Sequence, residues 1–370
     1  MKKFLTVLLI LVMVFTFAAC GNGGDQGDGG NAEVSFDDIS DNYESEDGTY
    51  QIAMVTDVGQ LKDGSFNQFT WNGVKKYAYD NNKSYKYYQP ANDANATDAD
   101  RIKAMTDACD AGAEVLVTPG FLQETALKEV APKYPDVQFV FIDGWDMGMK
   151  NLVGVSYQEE QAGYFATVMD GYTKLGFSGG GGGNNPPCIR YGYGFAQGAN
   201  DAAAAKGETV EMRYSWEHGS SFSASPDLQA MLSGWYNAGT EVIFVCGGTM
   251  TNSGIAAAEA AEKKLVGVDV DQSGLSDCII TSAMKGLAES VIETLTKYYD
   301  GGEVFGGSMK LGAADNAVGI PTDTWKLENW SVDDYKALYE KVVAGEITVD
   351  NDETMKDPSK AGLENVTFVK

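Results

Sequence analysis

QIAMVTDVGQLKDGSFNQFTWNGVKKYA, residues 51–78, is the stretch on which the reading of the chain turns. An apolar run at residues 52–55 stops at a polar tip, Thr56-Asp57. A glycine-containing loop then leads to Ser65-Phe66-Asn67-Gln68, where apolar residues take up a helical spacing. The pattern predicts a strand, a loop and a helix. It puts a carboxylate at the strand's C-terminal end and an aromatic ring plus an amide at the helix start. Ligands of open α/β sheets sit just outside the carboxyl ends of the strands, which makes Asp57, Phe66 and Asn67 candidate contacts.

The same alternation continues outward. Strands are expected at residues 85–89, 114–118, 137–142 and 153–157. Between them stand helices at residues 66–81 and 123–133, and one capped by Thr97 with Asp98 and Asp100 in its first turn. A helix is expected at residues 159–174. Composition then breaks at GFSGGGGGNNPP, residues 176–187. No Gly-Lys-Ser/Thr follows and no strand is evident before it, so a flexible surface loop is expected here, not a phosphate loop. A second series follows, with strands at residues 189–192, 210–215, 241–246, 265–268 and 278–282. Its helices are expected at residues 195–206, 226–238, 253–263 and 287–298, with a further helix at 332–343. Strands alternating with helices of this length predict parallel α/β sheets. Expected strand ends carry Asp57, Gly120 and Asp143 in one series and Gly247, Asp269 and, nearby, Lys285 in the other. Facing sheets would bring these edges to one cleft.

The chain has 370 residues, enough for two lobes. Its 53 acidic against 27 basic residues give a net charge of −26, which phosphate backbones would repel; nucleic acid is excluded as a partner. Lys2-Lys3, an apolar run at residues 4–17, and Ala18-Ala19 before Cys20 form an export signal over residues 1–19. The junction resembles the bacterial lipobox, which implies lipidation of Cys20. The polar, Gly-rich segment that follows predicts a flexible tether over residues 20–47. The expected lobes are 48–155 with about 284–315, and 156–283 with about 316–370. Of the other cysteines, Cys109 and Cys246 read as small buried hydrophobes, and a disulfide among Cys109, Cys188, Cys246 and Cys278 is left open. No metal spacing and no catalytic motif occurs, and the single histidine, His218, stands in a polar loop, so neither a metal, a cofactor nor an enzyme is expected.

AMVTDVGQLKDGSFNQFTWNGV (53–74), FVFIDG (139–144), GTEVIFVCGG (239–248), GVDVDQS (267–273), TSAMKG (281–286) and GEITV (345–349) resemble the basic membrane protein (BMP) family. Its members include purine nucleoside receptor A-like lipoproteins of ABC importers. The resemblance implies a type I periplasmic-binding fold of two Rossmann-like lobes with parallel sheets. It also implies a purine nucleoside clamped between the lobes and delivered to ABC permease and ATPase subunits from a lipid-anchored receptor outside the cytoplasm. Residue by residue, Phe66 matches one ring on the purine. Phe222, by its distance before GTEVIF, matches the other. Asn67, Asp57 and Asp143 match polar positions on or near the base, and Gly247, Asp269 and Lys285 match positions near the ribose. Where the family has an Asp two residues after the second Phe, this chain has Ala224, and Trp216 is an alternative stacker. The same fold could instead hold a sugar, an autoinducer or another ring compound for uptake or sensing. A surface nucleoside hydrolase is the enzymatic alternative.

Overall fold

The computed structural model describes residues 34–58, 60–167 and 170–370; the expected signal segment and Cys20 lie outside these. The opening stretch folds as read. Strand β1 (Ile52–Val55) is buried at every position and helix α1 (Phe66–Asp80) follows it. Next come β2 (Tyr85–Tyr88), α2 (Asp98–Asp110), β3 (Val115–Pro119), α3 (Glu124–Val130), β4 (Gln138–Ile142) and β5 (Leu152–Tyr157). Thr97 and Asp100 cap α2 reciprocally: each side chain accepts the other's backbone N–H. The second series is α4 (Glu159–Phe165), β6 (Lys174–Gly179), α5 (Pro186–Lys206), β7 (Val210–Ser215), α6 (Pro226–Asn237), β8 (Val242–Cys246), α7 (Met250–Ala261), β9 (Lys264–Asp269) and β10 (Ile279–Lys285). The chain ends with α8 (Leu287–Tyr299), β11 (Gly307–Leu311), β12 (Val318–Gly319), α9 (Val332–Val343) and β13 (Val366–Val369).

Two sheets result. One runs β11-β5-β4-β3-β1-β2 with every pair parallel. The other runs β12-β10-β9-β8-β6-β7-β13 and is parallel except where β12 pairs antiparallel with β10. Their central strands are short Val/Ile/Phe-rich runs buried on both faces, as parallel sheets require. The two sheets repeat one topology, with chain order reversing between β1 and β3 in the first and between β6 and β8 in the second. Crevices for ligands open at such reversals. The chain passes between sheets three times, after β5, β10 and β11.

Three expectations need correction. The second sheet takes its first strand from residues 174–179, which is why the expected helix at 159–174 stops at Phe165. Leu175 and Phe177 are buried there, so a strand does feed the glycine run and the run is not a surface loop. Residues 189–192 lie inside α5 instead of forming a strand. Asn185 caps that helix by accepting the Cys188 N–H at 2.8 Å, and Pro186-Pro187 fill positions where no N–H is needed. Finally, the expected tether ends earlier than residue 47. Ile39 is buried, Tyr43 exchanges backbone hydrogen bonds with Tyr85, and the Lys75 ammonium reaches both the Ile39 carbonyl and Asp41. An apolar anchor and a charged one outweigh the polar composition around them.

The helices that carry the chain out of the first crossing pack unusually closely. A Cβ on Gly194 of α5 would sit 1.9 Å from the Glu160 carbonyl oxygen of α4, and one on Gly163 would sit 2.1 Å from the Tyr191 carbonyl oxygen. Backbone cannot yield here as a flexible side chain could. Gly194→Ala is therefore expected to lower stability by about 1–3 kcal/mol through overpacking. Urea unfolding followed by circular dichroism measures it, with the native spectrum retained.

Candidate functional site

The reversals of the two sheets meet at a single cavity of about 520 Å³, including its mouth to solvent. From the first sheet's side it is lined by Asp57, Val58, Asp63, Phe66, Asn67, Gly120 and Asp143. From the other side come Asn185, Pro187, Cys188, Tyr191, Phe222, Cys246, Gly247, Gly248, Val268, Asp269 and Lys285. Eight sequence candidates thus converge: Asp57, Phe66, Asn67, Asp143, Phe222, Gly247, Asp269 and Lys285. Trp216 does not. Its ring packs behind the glycine run, against Gly179 and Gly183, with its Nε1–H donating to the Lys356 carbonyl at 2.8 Å. The alternative stacker is thereby a buttress, and Phe222 is the ring on the cavity side.

The centre of the site is the Lys285 ammonium, 4 % exposed at the end of β10. It donates to both Asp143 oxygens, at 2.8 and 2.7 Å, and to Glu159 at 3.3 Å, and lies 3.7 Å from Asp269. Burial alone would lower its pKa, but the three carboxylates outweigh that and hold it well above the ordinary lysine value. Glu159 in turn accepts from the Arg190 Nε–H at 2.7 Å. Burial would raise its carboxyl, yet Arg190 and Lys285 keep it below the usual range. The ammonium also sits 4.8 Å from the centre of the Phe66 ring, a cation–π contact that fixes that ring's place. Asp143 therefore pairs with Lys285 instead of standing free on a base edge.

Two more bonds at the cavity join the halves, beyond those of Lys285 to Asp143. The Ser65 hydroxyl donates to Asp269 at 2.6 Å, and the Gln272 amide donates to the Gly64 carbonyl at 3.1 Å. Asp143 (φ 57°), Phe222 (φ 56°) and Asp269 (φ 67°) all hold left-handed backbone. Aspartate tolerates that region, whereas a Phe there costs about 1–3 kcal/mol. The cost is borne where Phe222 meets its niche. Its ring lies over the Cα atoms of Gly180 and Gly247, where a Cβ would come within 2.5 and 3.0 Å of it.

Asp57 differs from the other acids. Its backbone N–H donates to the Asn67 side-chain oxygen at 2.8 Å, and its Oδ1 is shielded from solvent with no hydrogen-bond partner among the described residues. Burial pushes its carboxyl up to about 7; Arg101 and the Val58 N–H pull against this, while Asp143 and Asp63 add to it. Asn67 spends its amide donors on the Val58 carbonyl and Asp63, so it orders the loop that presents Asp57. Asp63, not singled out by the sequence reading, also accepts the Ser65, Asn67 and Gln68 N–H groups at the start of α1. Tyr191, Cys188 and Asn185 were missed with the misread start of α5. The Asn-Pro-Pro signature ahead of an apolar helical spacing was the available signal. All four described cysteines are free and buried.

A family model described as ABC transporter substrate-binding protein, PnrA-like (Bmp), matches residues 50–353. The chain belongs to this family. It is 26% identical to a CD4+ T-cell-stimulating antigen of Listeria innocua, over 93% of this chain and 97% of that one. It is 24% identical to the ABC transporter nucleoside-binding protein BmpA of Lactococcus lactis, over 81% and 88%. An ABC transporter solute-binding protein from Aeropyrum pernix K1 shares the fold with a TM-score of 0.71 at 18% identity, over 85% of this chain and 97% of that one. The fold is the type I periplasmic-binding architecture, and the Bmp protein is a substrate-binding component of an ABC transporter.

Removing the ammonium of this Bmp protein tests the electrostatic centre. Lys285→Met leaves Asp143, Asp269 and Glu159 buried without their shared cation, which costs about 3–5 kcal/mol at neutral pH. Asp143, already pushed up by burial, loses the ammonium that pulls it down and rises further, so the native state keeps a proton that the unfolded state loses. The stability deficit should therefore grow as pH rises from about 5 to about 8. Thermal unfolding at the two pH values measures it; an equal deficit at both would place the loss in packing instead of charge.

Proposed function

We propose that this protein is a lipid-anchored receptor outside the cytoplasm that binds a purine nucleoside in the cavity between its sheets and hands it to an ABC permease. The observation that carries the reading is the composition of the cavity wall. It presents one phenylalanine from each side, Phe66 and Phe222, and polar groups at the margins. A purine offers two apolar faces to such rings, each worth about 1–3 kcal/mol. Its ribose hydroxyls suit the Asp269 carboxylate beside Lys285. The BmpA relative of Lactococcus lactis carries nucleoside binding in its name.

The same wall disfavours phosphorylated ligands. Four carboxyl groups, Asp57, Asp63, Asp143 and Asp269, face one ammonium. A glycine loop leading into a helix is commonly an anion site because its free N–H groups point at the ligand. Here Pro186 and Pro187 have no N–H to offer, and the Cys188 N–H is already taken by Asn185. The site is built for a neutral ring with hydroxyls. Closure of the two halves on the ligand, through Ser65–Asp269 and Gly64–Gln272, would be the form that the permease reads. Anchoring falls to Cys20, whose acylation intact-mass measurement of the exported protein would detect.

Thermal shift with adenosine, guanosine, inosine and their monophosphates tests the reading. A nucleoside at about a hundred times its Kd should add about 2.7 kcal/mol to stability, and the monophosphates should add little. Phe66→Ala should weaken nucleoside binding by about 1–3 kcal/mol while leaving the unliganded fold nearly unchanged. No stabilisation by any nucleoside, with stabilisation by a free sugar or another ring compound, would overturn it.

A further inference from the structure

We propose that Asp57 selects among purine bases by its protonation state. As a carboxylate it takes a base edge carrying two adjacent N–H donors; as a carboxylic acid it takes an edge that pairs one donor with one acceptor. The proposal rests on the reading of the cavity as a purine nucleoside site.

Asp57 is set apart from Asp143 and Asp269 by its lack of a cation, and from Asp63, which accepts three backbone N–H groups, by an oxygen with no partner. Among the described residues no ammonium or guanidinium lies within ion-pair distance of it, whereas Asp143 and Asp269 both share Lys285. It stands two residues beyond β1, at the reversal of the first sheet, on the same loop-and-helix unit as Phe66. Its carboxyl packs directly on Gly120, where a Cβ would come within 2.2 Å of Oδ2. Asn67 fixes the backbone behind it. The carboxyl is therefore held in one place, and Oδ1 has nothing to bond in the unliganded protein. A shielded oxygen without a partner is costly, and a ligand group that reached it would relieve that cost.

The charged groups facing it come from every neighbouring element. Arg101 of α2 favours the anion, but its guanidinium is tied to the Ala96 carbonyl; Asp63 ahead of α1 and Asp143 beyond β4 oppose the anion. The Val58 N–H, in the same loop, favours it. The balance leaves the carboxyl titrating near pH 7, unlike an exposed aspartate.

Purine edges differ in what they offer such a group. Guanine presents its N1–H and an amino N–H side by side, and a carboxylate accepts both. Adenine presents an amino N–H beside the N1 lone pair, which a carboxylate oxygen repels. A carboxylic acid meets that edge with its own O–H and C=O. Neither base changes protonation state near neutrality, so the pH dependence comes from the protein; burial also pushes Asp143 up to about 7, but both its oxygens are held by Lys285, and Asp57→Asn separates the two acids.

Calorimetric titration of the full chain with guanosine and with adenosine at about pH 6 and about pH 8 is the test. The preference for guanosine over adenosine should rise about tenfold across this range, the discrimination typical of one well-matched base edge. Asp57→Asn offers one donor and one acceptor at every pH, so its preference should stay flat and resemble the acid form. Glu160→Gln removes another acid that burial and Glu159 push up to about 7 but that does not line the cavity; it should keep the shift. Nucleosides that bind at both pH values with a constant ratio, or a shift that survives in Asp57→Asn, would overturn the proposal. Absence of nucleoside binding at every pH would instead defeat the reading of the site, and this inference with it.

Discussion

A single ammonium group, that of Lys285, is the constraint from which the rest of the molecule's organisation follows. It leaves the last position of β10, where the chain is about to cross back to the first sheet. It is met there by Asp143 from the end of β4, Asp269 from the end of β9, and Glu159 at the start of α4. Each partner stands at the carboxyl edge of a sheet or beside a crossing. A buried ion pair is poor evidence of net stabilisation, because desolvation offsets most of the attraction. What this cluster does supply is position. Three carboxylates can share one buried cation only when both sheets and the crossing are in register, so the charges specify the closed arrangement more than they strengthen it.

The glycine run serves the same end by subtraction. Phe222 and Trp216 sit on opposite sides of residues 179–183, one towards the cavity and one behind it. Side chains at Gly179 or Gly180 would collide with those rings, at 2.1 and 2.5 Å respectively. A run that looks like a linker is thus the thin wall between two aromatic groups, and its lack of side chains lets the first turn of α5 approach the ligand space. The helix pair behind it uses the same device, with Gly163 and Gly194 drawing α4 against α5 so that Glu159 and Arg190 meet.

Much of this was legible in the sequence where chemistry repeats with secondary-structure period. The apolar runs at residues 52–55, 137–142 and 241–246 read as buried strands, and Asp57, Asp143 and Gly247 just beyond them fell on the cavity, because parallel strands are buried throughout and meet a ligand only at their ends. Three features were illegible for a common reason: long-range packing overrode local composition. The strand at 174–179 was hidden by glycines whose smallness answers to Trp216 and Phe222, far away in sequence. Ile39 and Tyr43 gave too little apolar signal to rescue a Gly- and Asp-rich segment, yet they dock on α1 and β2. The pairing of Asp143 with Lys285, 142 residues apart, leaves no periodic trace in either neighbourhood.

The difference between Asp57 and the other cavity acids follows from topology. In the second sheet the reversal is filled by the glycine loop and the start of α5, and the acid on that side, Asp269, sits one strand further along, next to Lys285. In the first sheet the reversal itself carries the acid, and the crossing that brings Lys285 serves the far side of β4. Asp57 is therefore left against a glycine Cα with no cation at ion-pair distance among the described residues, while Asp143 and Asp269 share Lys285. One cation placed at the crossing is enough to divide the cavity into an end gathered round a shared ammonium, suited to hydroxyl groups, and an end where a carboxyl oxygen is left without a partner until something binds.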